Sequence, residues 1–289
     1  MQENSKSKAQ TKAGTVKASD PVISGGKRHG TRCAPGELAE YVLLPGDPGR
    51  IDLIASLWDD STEVAHNRSW RAITGRYLDV RISAMSTGVG GPSAEVALVD
   101  LAKLGTKTVI RVGTTGCLQE HIALGDLIIN TACVRYDGTS DQYIDPAFPA
   151  VAHYEAVLAL ITACEKLGYR YHLGIAATAA SFFAGQGRVS AAQYLPRRGE
   201  TLVEDLQRAG VTNLEMEGAT IMTLSSLFNI RAGMICAVVA DRVRDQWSME
   251  RGQKEACEAA SLALTTLAKW DQAKEAAGKR HFYPELGFS

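Results

Sequence analysis

Two carboxylates, Glu215 and Glu217, bracket Met216 in "NLEMEGAT" (213–220) and lead directly into the apolar "TIMTLSSLF". Positions two apart face the same way in a strand but diverge by roughly 200° in a helix. A chain passing from strand to helix here gives the two acids different tasks. Glu217 then sits at a helix N-terminus, where the dipole favours its ionised form. A helix cap plus a surface charge is the plainer alternative. Cations are spaced around this segment. Arg50 closes "PGDPGR", and Arg111 lies in "KTVIRVGTTG", followed by Thr114. Arginine bonds phosphate with two parallel N–H groups, and glycine-rich turns such as "GVGGPS" can present backbone N–H groups to an anion. "GVGGPS" departs from GxGxxG at Ser93, and GxxxxGK[ST] is absent. The pattern suits an isolated anion better than a dinucleotide. Asp241, in an apolar context, is a candidate general acid if burial raises its pKa, or else a partner for Arg242 or another arginine.

Strands must present these groups. The sequence predicts strands at 41–45, 78–86, 107–116, 125–134, 171–180 and 231–241, and helices at 92–104, 153–168, 215–229 and 253–277. Strand and helix alternate with no Pro/Gly/Ser-rich linker, which predicts a single α/β domain over 26–289, with a central mixed β-sheet flanked by helices. The polar groups follow strands immediately, and ligands of open α/β sheets bind at the carboxyl ends of strands. Residues 189–207 have a mixed pattern and are expected to form a mobile flap.

Composition narrows the class. Of 289 residues, 45% are hydrophobic and 22% charged, and the net charge is −1, so a general nucleic-acid or membrane-surface binder is disfavoured. The six cysteines show neither CxxC nor zinc spacing, and several lie in apolar runs, which points to a reducing compartment, the cytosol. No apolar run is long enough to span a bilayer. Residues 1–25 read as a disordered polar tail. HExxH, GxSxG and paired His/carboxylate clusters are absent, so no metal is expected.

"PGDPGR", "STGVGGPSAEVALVDL", "IRVGTTGCLQEHIALGDL" and "NLEMEGAT", in this order and spacing, resemble the nucleoside phosphorylase family over about residues 29–245. "GTTG…Q…HI…GDL" and "FFAGQGR" (182–188) are most similar to its uridine phosphorylase branch. The resemblance implies that Gly46, Arg50, Arg111 and Thr114 bind phosphate, joined by Arg68 from a neighbouring subunit. It implies that Met216 and Glu217 contact the ribose, with Glu215 nearby and His29 reaching across a dimer interface. Phe182 would stack on the base, Gln186 and Arg188 would read its edge, and Thr115 and Gly116 would line that end. Arg111, Glu217 and Arg188 are the implied catalytic groups. The implied reaction is phosphorolysis of uridine, with inorganic phosphate as co-substrate and no metal or organic cofactor. Shared sites imply a homo-oligomer, with a dimer as minimal unit and a hexamer as the usual assembly.

Two departures keep alternatives open. Asp241 stands where the uridine branch usually has no acid and where purine phosphorylases and nucleosidases place one. Ser69 replaces a glutamate that helps bind an interface cation in some relatives, so that ion is not carried over. A purine phosphorylase, a nucleosidase or a non-catalytic nucleoside-binding protein therefore remain as alternatives.

Overall fold

In chain order the elements are β1 (Val22–Ile23), β2 (Lys27–Arg28), β3 (Tyr41–Pro45), α1 (Arg50–Leu57), β4 (Asp60–Asn67), β5 (Trp70–Tyr77), β6 (Val80–Met85), α2 (Gly91–Lys103), β7 (Thr108–Cys117), β8 (Leu127–Tyr136), β9 (Ala150–Val151), α3 (Tyr154–Leu167), β10 (Tyr171–Ala179), α4 (Arg197–Arg208), β11 (Asn213–Glu215), α5 (Gly218–Leu227), β12 (Arg231–Asp241), β13 (Gln246–Trp247) and α6 (Gln253–Ala276). They come from a computed structural model that describes residues 17–249 and 251–287.

The mixed sheet has the order β13-β12-β8-β10-β11-β7-β3-β6-β5-β4, and β12 also pairs with β7. Strands β12, β8, β10, β11 and β7 therefore close on themselves, which an alternation of apolar runs does not disclose. Strand β7 pairs with β12 along one edge from Thr108 to Cys117. Its other edge is divided: Thr108 to Val112 pair with β3, and Gly116 and Cys117 pair with β11. The sheet forks between, at Gly113, Thr114 and Thr115.

Two apolar layers hold the sheet. Ile51 and Ile54 of α1, Ala159 and Leu160 of α3, and Leu264 and Leu267 of α6 pack on one side. Ala97 and Leu98 of α2 and Ile221 and Leu224 of α5 pack on the other. Burying one such aliphatic side chain is worth about 1.5–3 kcal/mol, so these layers fix where the strand ends lie.

The expected architecture stands, with local corrections. The predicted strand 78–86 is the second arm of a hairpin, β5–β6, turning through Leu78 and Asp79 at positive φ. Residues 197–208 are a helix and not a flap, because Leu202 and Leu206 bury themselves with Leu118, Ala177 and Leu214. Order also begins before residue 26. Val22 and Ile23 pair with Lys27 and Arg28, and Asp20 meets Arg28 at 2.6 Å and Lys103 at 2.7 Å. Residues 1–16 of the expected tail lie outside the described residues. Among the described residues no helix is long and apolar enough to cross a membrane.

Candidate active site

At the fork of the sheet lies a cavity of about 510 Å³, where "PGDPGR", "GVGGPS", "GTTG", "FFAGQGR" and "NLEMEGAT" converge. The loop after β6 is zipped to the loop after β3, with Thr87 N donating to Pro45 O at 2.8 Å and Gly88 N to Gly46 O at 2.9 Å. Gly88 has φ +71°, and a Cβ there would lie 2.6 Å from the hydroxyls of both Ser69 and Ser93, so this close approach requires glycine.

The two glutamates are both buried and differ in task. Glu215 ends β11. Its Oε2 accepts from Arg111 Nε at 2.9 Å, Glu217 N at 2.9 Å and Gly218 N at 2.8 Å, and its Oε1 accepts from the Thr178 hydroxyl. Glu215 is thus the carboxylate that caps α5, and neither acid is a surface charge. Glu217 occupies the N-cap position without capping through its side chain. Its Oε2 lies 2.6 Å from Arg111 Nη2, and its Oε1 accepts from Gly90 N. Burial raises the Glu217 pKa, and Arg111 and the Gly90 N–H only partly offset this. Desolvation thus works against the helix dipole that was expected to favour the ionised form. Gly90 N–H, expected to be available to an anion, is spent on Glu217.

Arg111 is 3% exposed, and its Nη1 is a buried donor with no hydrogen-bond partner. A Cβ built on Gly46 would lie 4.0 Å from this atom. Arg50 lies beside it, at the start of α1. Asp47 Oδ1 accepts from Gly49 N at 2.9 Å and shapes the turn that delivers Arg50. Thr114 lines the same end of the cavity.

The opposite end is aromatic and cationic. Phe182 and Trp247 meet edge to face, with centroids 6.4 Å apart. The Arg188 guanidinium sits 4.2 Å from the Phe182 ring centroid and donates to the Phe182 carbonyl at 2.9 Å and to Gln186 Oε1. Burial, and secondarily Arg242, push Arg188 down to about 10. Arg242 Nη1 in turn holds the Gln186 carbonyl at 3.0 Å. Gly116 makes room for this arginine, since a Cβ there would lie 3.2 Å from Arg242 Cγ. Thr115 also lines the cavity, but its hydroxyl donates to Leu214 O at 2.7 Å and accepts from Asn213 Nδ2 at 2.9 Å. It therefore shapes the wall and has no hydroxyl proton to offer. Met216 lines the middle.

Three expected residues lie elsewhere. His29 and Arg68 are exposed and together line a second cavity of about 360 Å³. Arg68 sits at φ +56° in the turn between β4 and β5. Asp241 accepts from Val243 N and Arg244 N at 2.9 Å each and from Arg244 Nη1 at 2.7 Å. Burial would raise its pKa, but Arg244 and these N–H groups outweigh it and leave it below the ordinary value. Of the arginines expected as partners, the geometry selects Arg244 and not Arg242, and a raised-pKa acid is not what the geometry makes. Thr178, Trp247 and Gln253 were not anticipated and carried no sequence signal, while Arg242, directly after a predicted strand, was read as a partner for Asp241 and instead holds the Gln186 carbonyl.

A profile described as Phosphorylase superfamily matches residues 40–269. The chain belongs to the phosphorylase superfamily. It is 50% identical over 271 residues to the uridine phosphorylase of Thermococcus kodakarensis, covering 94% of this chain and 98% of that one. The uridine phosphorylase of Salmonella typhimurium is 39% identical over 72% of this chain and 83% of its own length. The guanosine phosphorylase of Halorubrum lacusprofundi is 34% identical over 70% of this chain and 79% of its own. Family membership accords with where the motifs meet: each quoted stretch reaches the same cavity.

Proposed function

We propose that the chain is a pentosyltransferase that cleaves uridine with phosphate, giving uracil and ribose 1-phosphate. The observation that carries this reading is the orphaned Arg111 Nη1 beside Gly46, in a cavity that also holds Arg50. A buried donor left without a partner costs about 1–3 kcal/mol, and an oxyanion seated there removes that cost.

In this reading Arg50, Arg111, Thr114 and the Gly46 N–H hold phosphate in line with C1′. A phosphate oxygen forms the new bond to C1′ as the glycosidic C–N bond breaks and its electron pair leaves with the base. Positioning supplies much of the rate. Glu217, ionised against Arg111, accepts from the ribose hydroxyls and favours the cationic sugar of the transition state. Met216 packs on the sugar, Phe182 stacks on the base, and Gln186 and Arg188 receive the negative charge on the departing uracil. Glu215 positions Arg111 and the Glu217 loop. Arg244 keeps Asp241 ionised, which weighs against a purine mechanism that uses it as acid. Phosphate is a co-substrate, and the reaction as drawn needs no metal or organic cofactor.

His29 and Arg68 are exposed and together, away from the main cavity, which supports a homo-oligomer in which they complete a neighbour's site. The dimer is then the active minimum, and a hexamer is built from dimers. Six buried free thiols accord with a reducing, cytoplasmic setting.

The test is base release from uridine and from inosine, each with and without phosphate. Uracil release that requires phosphate is the expected result. Faster turnover of inosine would overturn the uridine assignment, and base release without phosphate would make the protein a nucleosidase. An Arg68→Ala and Arg50→Ala mixture that regains activity absent from either variant would support sharing of sites.

A further inference from the structure

Gln253 opens α6, far along the chain from Arg50, yet the two side chains meet. Its Oε1 accepts from Arg50 Nε at 3.3 Å and Nη2 at 3.0 Å, while its Nε2 donates to Met249 O at 2.6 Å. Only one amide orientation serves both neighbours. Turned over, it would set NH₂ against the guanidinium and oxygen against a carbonyl. Arg50 Nη1 donates to Val112 O at 3.0 Å. The acceptors that aim Arg50 are therefore all neutral. Arg111, by contrast, meets Glu215 at 2.9 Å and Glu217 at 2.6 Å, and no ion pair among the described residues includes Arg50.

A close backbone approach places Gln253. Gly252 precedes it at φ +80°, and a Cβ there would lie 2.8 Å from Gly125 O, so the start of α6 is seated on that loop. Gly125 N in turn donates to Val238 O at 2.9 Å, in the strand that floors the cavity. Met249 belongs to the segment that carries Trp247 over the aromatic end.

We propose that Gln253 is a positioning residue for the anionic substrate: it aims Arg50 into the cavity with a neutral oxygen, leaving the arginine's charge for the anion, and tethers the Trp247 segment to that aim. The identity of the anion as phosphate rests on the phosphorolysis reading. An acid in this place would aim Arg50 equally well and would compete with the substrate for its charge.

Gln253→Glu tests this directly, because the shape is kept and only the charge changes. A merely structural role predicts that the new ion pair keeps or raises Tm and leaves phosphate binding alone. Positioning without neutralisation predicts that the phosphate KM rises about tenfold or more, since a charge-assisted partner is lost to a competitor. The uridine KM at saturating phosphate stays within about twofold, and Tm does not fall. Gln253→Leu, which removes the acceptor, serves as the second variant, with a phosphate KM raised about three- to tenfold. Calorimetric titration of the free protein with inorganic phosphate accompanies both. If the wild type binds and requires phosphate while both variants bind it unchanged, the role of Gln253 is overturned and the phosphorolysis reading stands. If the wild type neither binds phosphate nor needs it for base release, that reading fails and takes the proposal with it.

Discussion

Arg111, in the middle of β7, and Arg231, at the start of β12, are guanidinium groups on paired strands, each facing two carboxylates. Around Arg231 everything is matched. It reaches Glu155 at 2.7 Å and Asp271 at 2.5 Å and gives its remaining donors to the Thr108 hydroxyl, and Lys274 adds a second cation 2.8 Å from Glu155. Burial works against both carboxylates, yet Lys274, Arg231 and their other donors hold Glu155 and Asp271 down at about 2. Around Arg111 the match is incomplete: one donor has no partner and burial raises Glu217. The same residue types make a lock in one place and a loaded site in the other. What separates them is whether every hydrogen-bonding group finds its complement inside the protein.

The comparison can be broken first at Arg111. Arg111→Ala leaves two buried acids without their cation, and is expected to cost about 3–5 kcal/mol of stability and at least ~10³ in kcat/KM for phosphorolysis. Urea titration and steady-state kinetics read both, and unchanged stability would mean the carboxylates do not depend on this arginine.

Glu155→Gln addresses the other cluster. Removing one partner of a buried pair is expected to cost about 3–5 kcal/mol, with KM for nucleoside and phosphate unmoved. The pH dependence follows. Glu155 lies below its ordinary value of 4.5, so its contribution is present above pH 4.5 and lost as pH falls towards about 2. An acid titration of the wild type should show that loss, and Glu155→Gln should flatten it.

Glu217→Gln should do the opposite of Glu155→Gln. The raised pKa of Glu217 means its contribution to stability is full below the ordinary carboxylate pKa and is lost as pH rises through the folded value. At neutral pH the amide should therefore leave Tm unchanged or higher while kcat/KM falls by about 10²–10³. A parallel loss of Tm would show that Glu217 belongs to the lock.

The smallest expected effect is at Arg188. Arg188→Lys keeps a cation but loses the planar fork that donates to Gln186 Oε1 and to the Phe182 carbonyl, so the uridine KM should rise about three- to tenfold with the phosphate KM unmoved. Steady-state kinetics at neutral pH check this, and an unchanged uridine KM would separate Arg188 from base recognition.

These contrasts were only partly legible in the sequence. Glu217 at the start of a helix could be read from an acid followed by an apolar run, and Arg111 from its place in a buried strand. The partner of each could not. Arg50 and Gln253 are 203 positions apart, and Thr178 is a lone hydroxyl in an apolar strand that meets Glu215 only through the β10–β11 register. Asp241 could be read as a partner for Arg242 or another arginine, and the turn after β12 selects Arg244. The β4 edge, "DSTEVAHN", is largely exposed and lacks the apolar alternation that reveals a strand. Short-range periodicity reports which elements form, while partner choice is set by long-range register.

The closed run of strands has a consequence for how the protein is made. Strand β12 fits between β7 and β8 yet leaves the ribosome well over a hundred residues after β7. Until it emerges, the nascent chain carries two bare strand edges and a cavity without Val239 and Ala240 in its floor. Such edges recruit foreign strands, and contacts this distant in sequence form slowly. A chain interrupted before residue 231 would thus be more than an inactive fragment: it would be the species most prone to cross-pair with its own copies, which makes the interval between the synthesis of β7 and that of β12 the period in which this fold most needs protection.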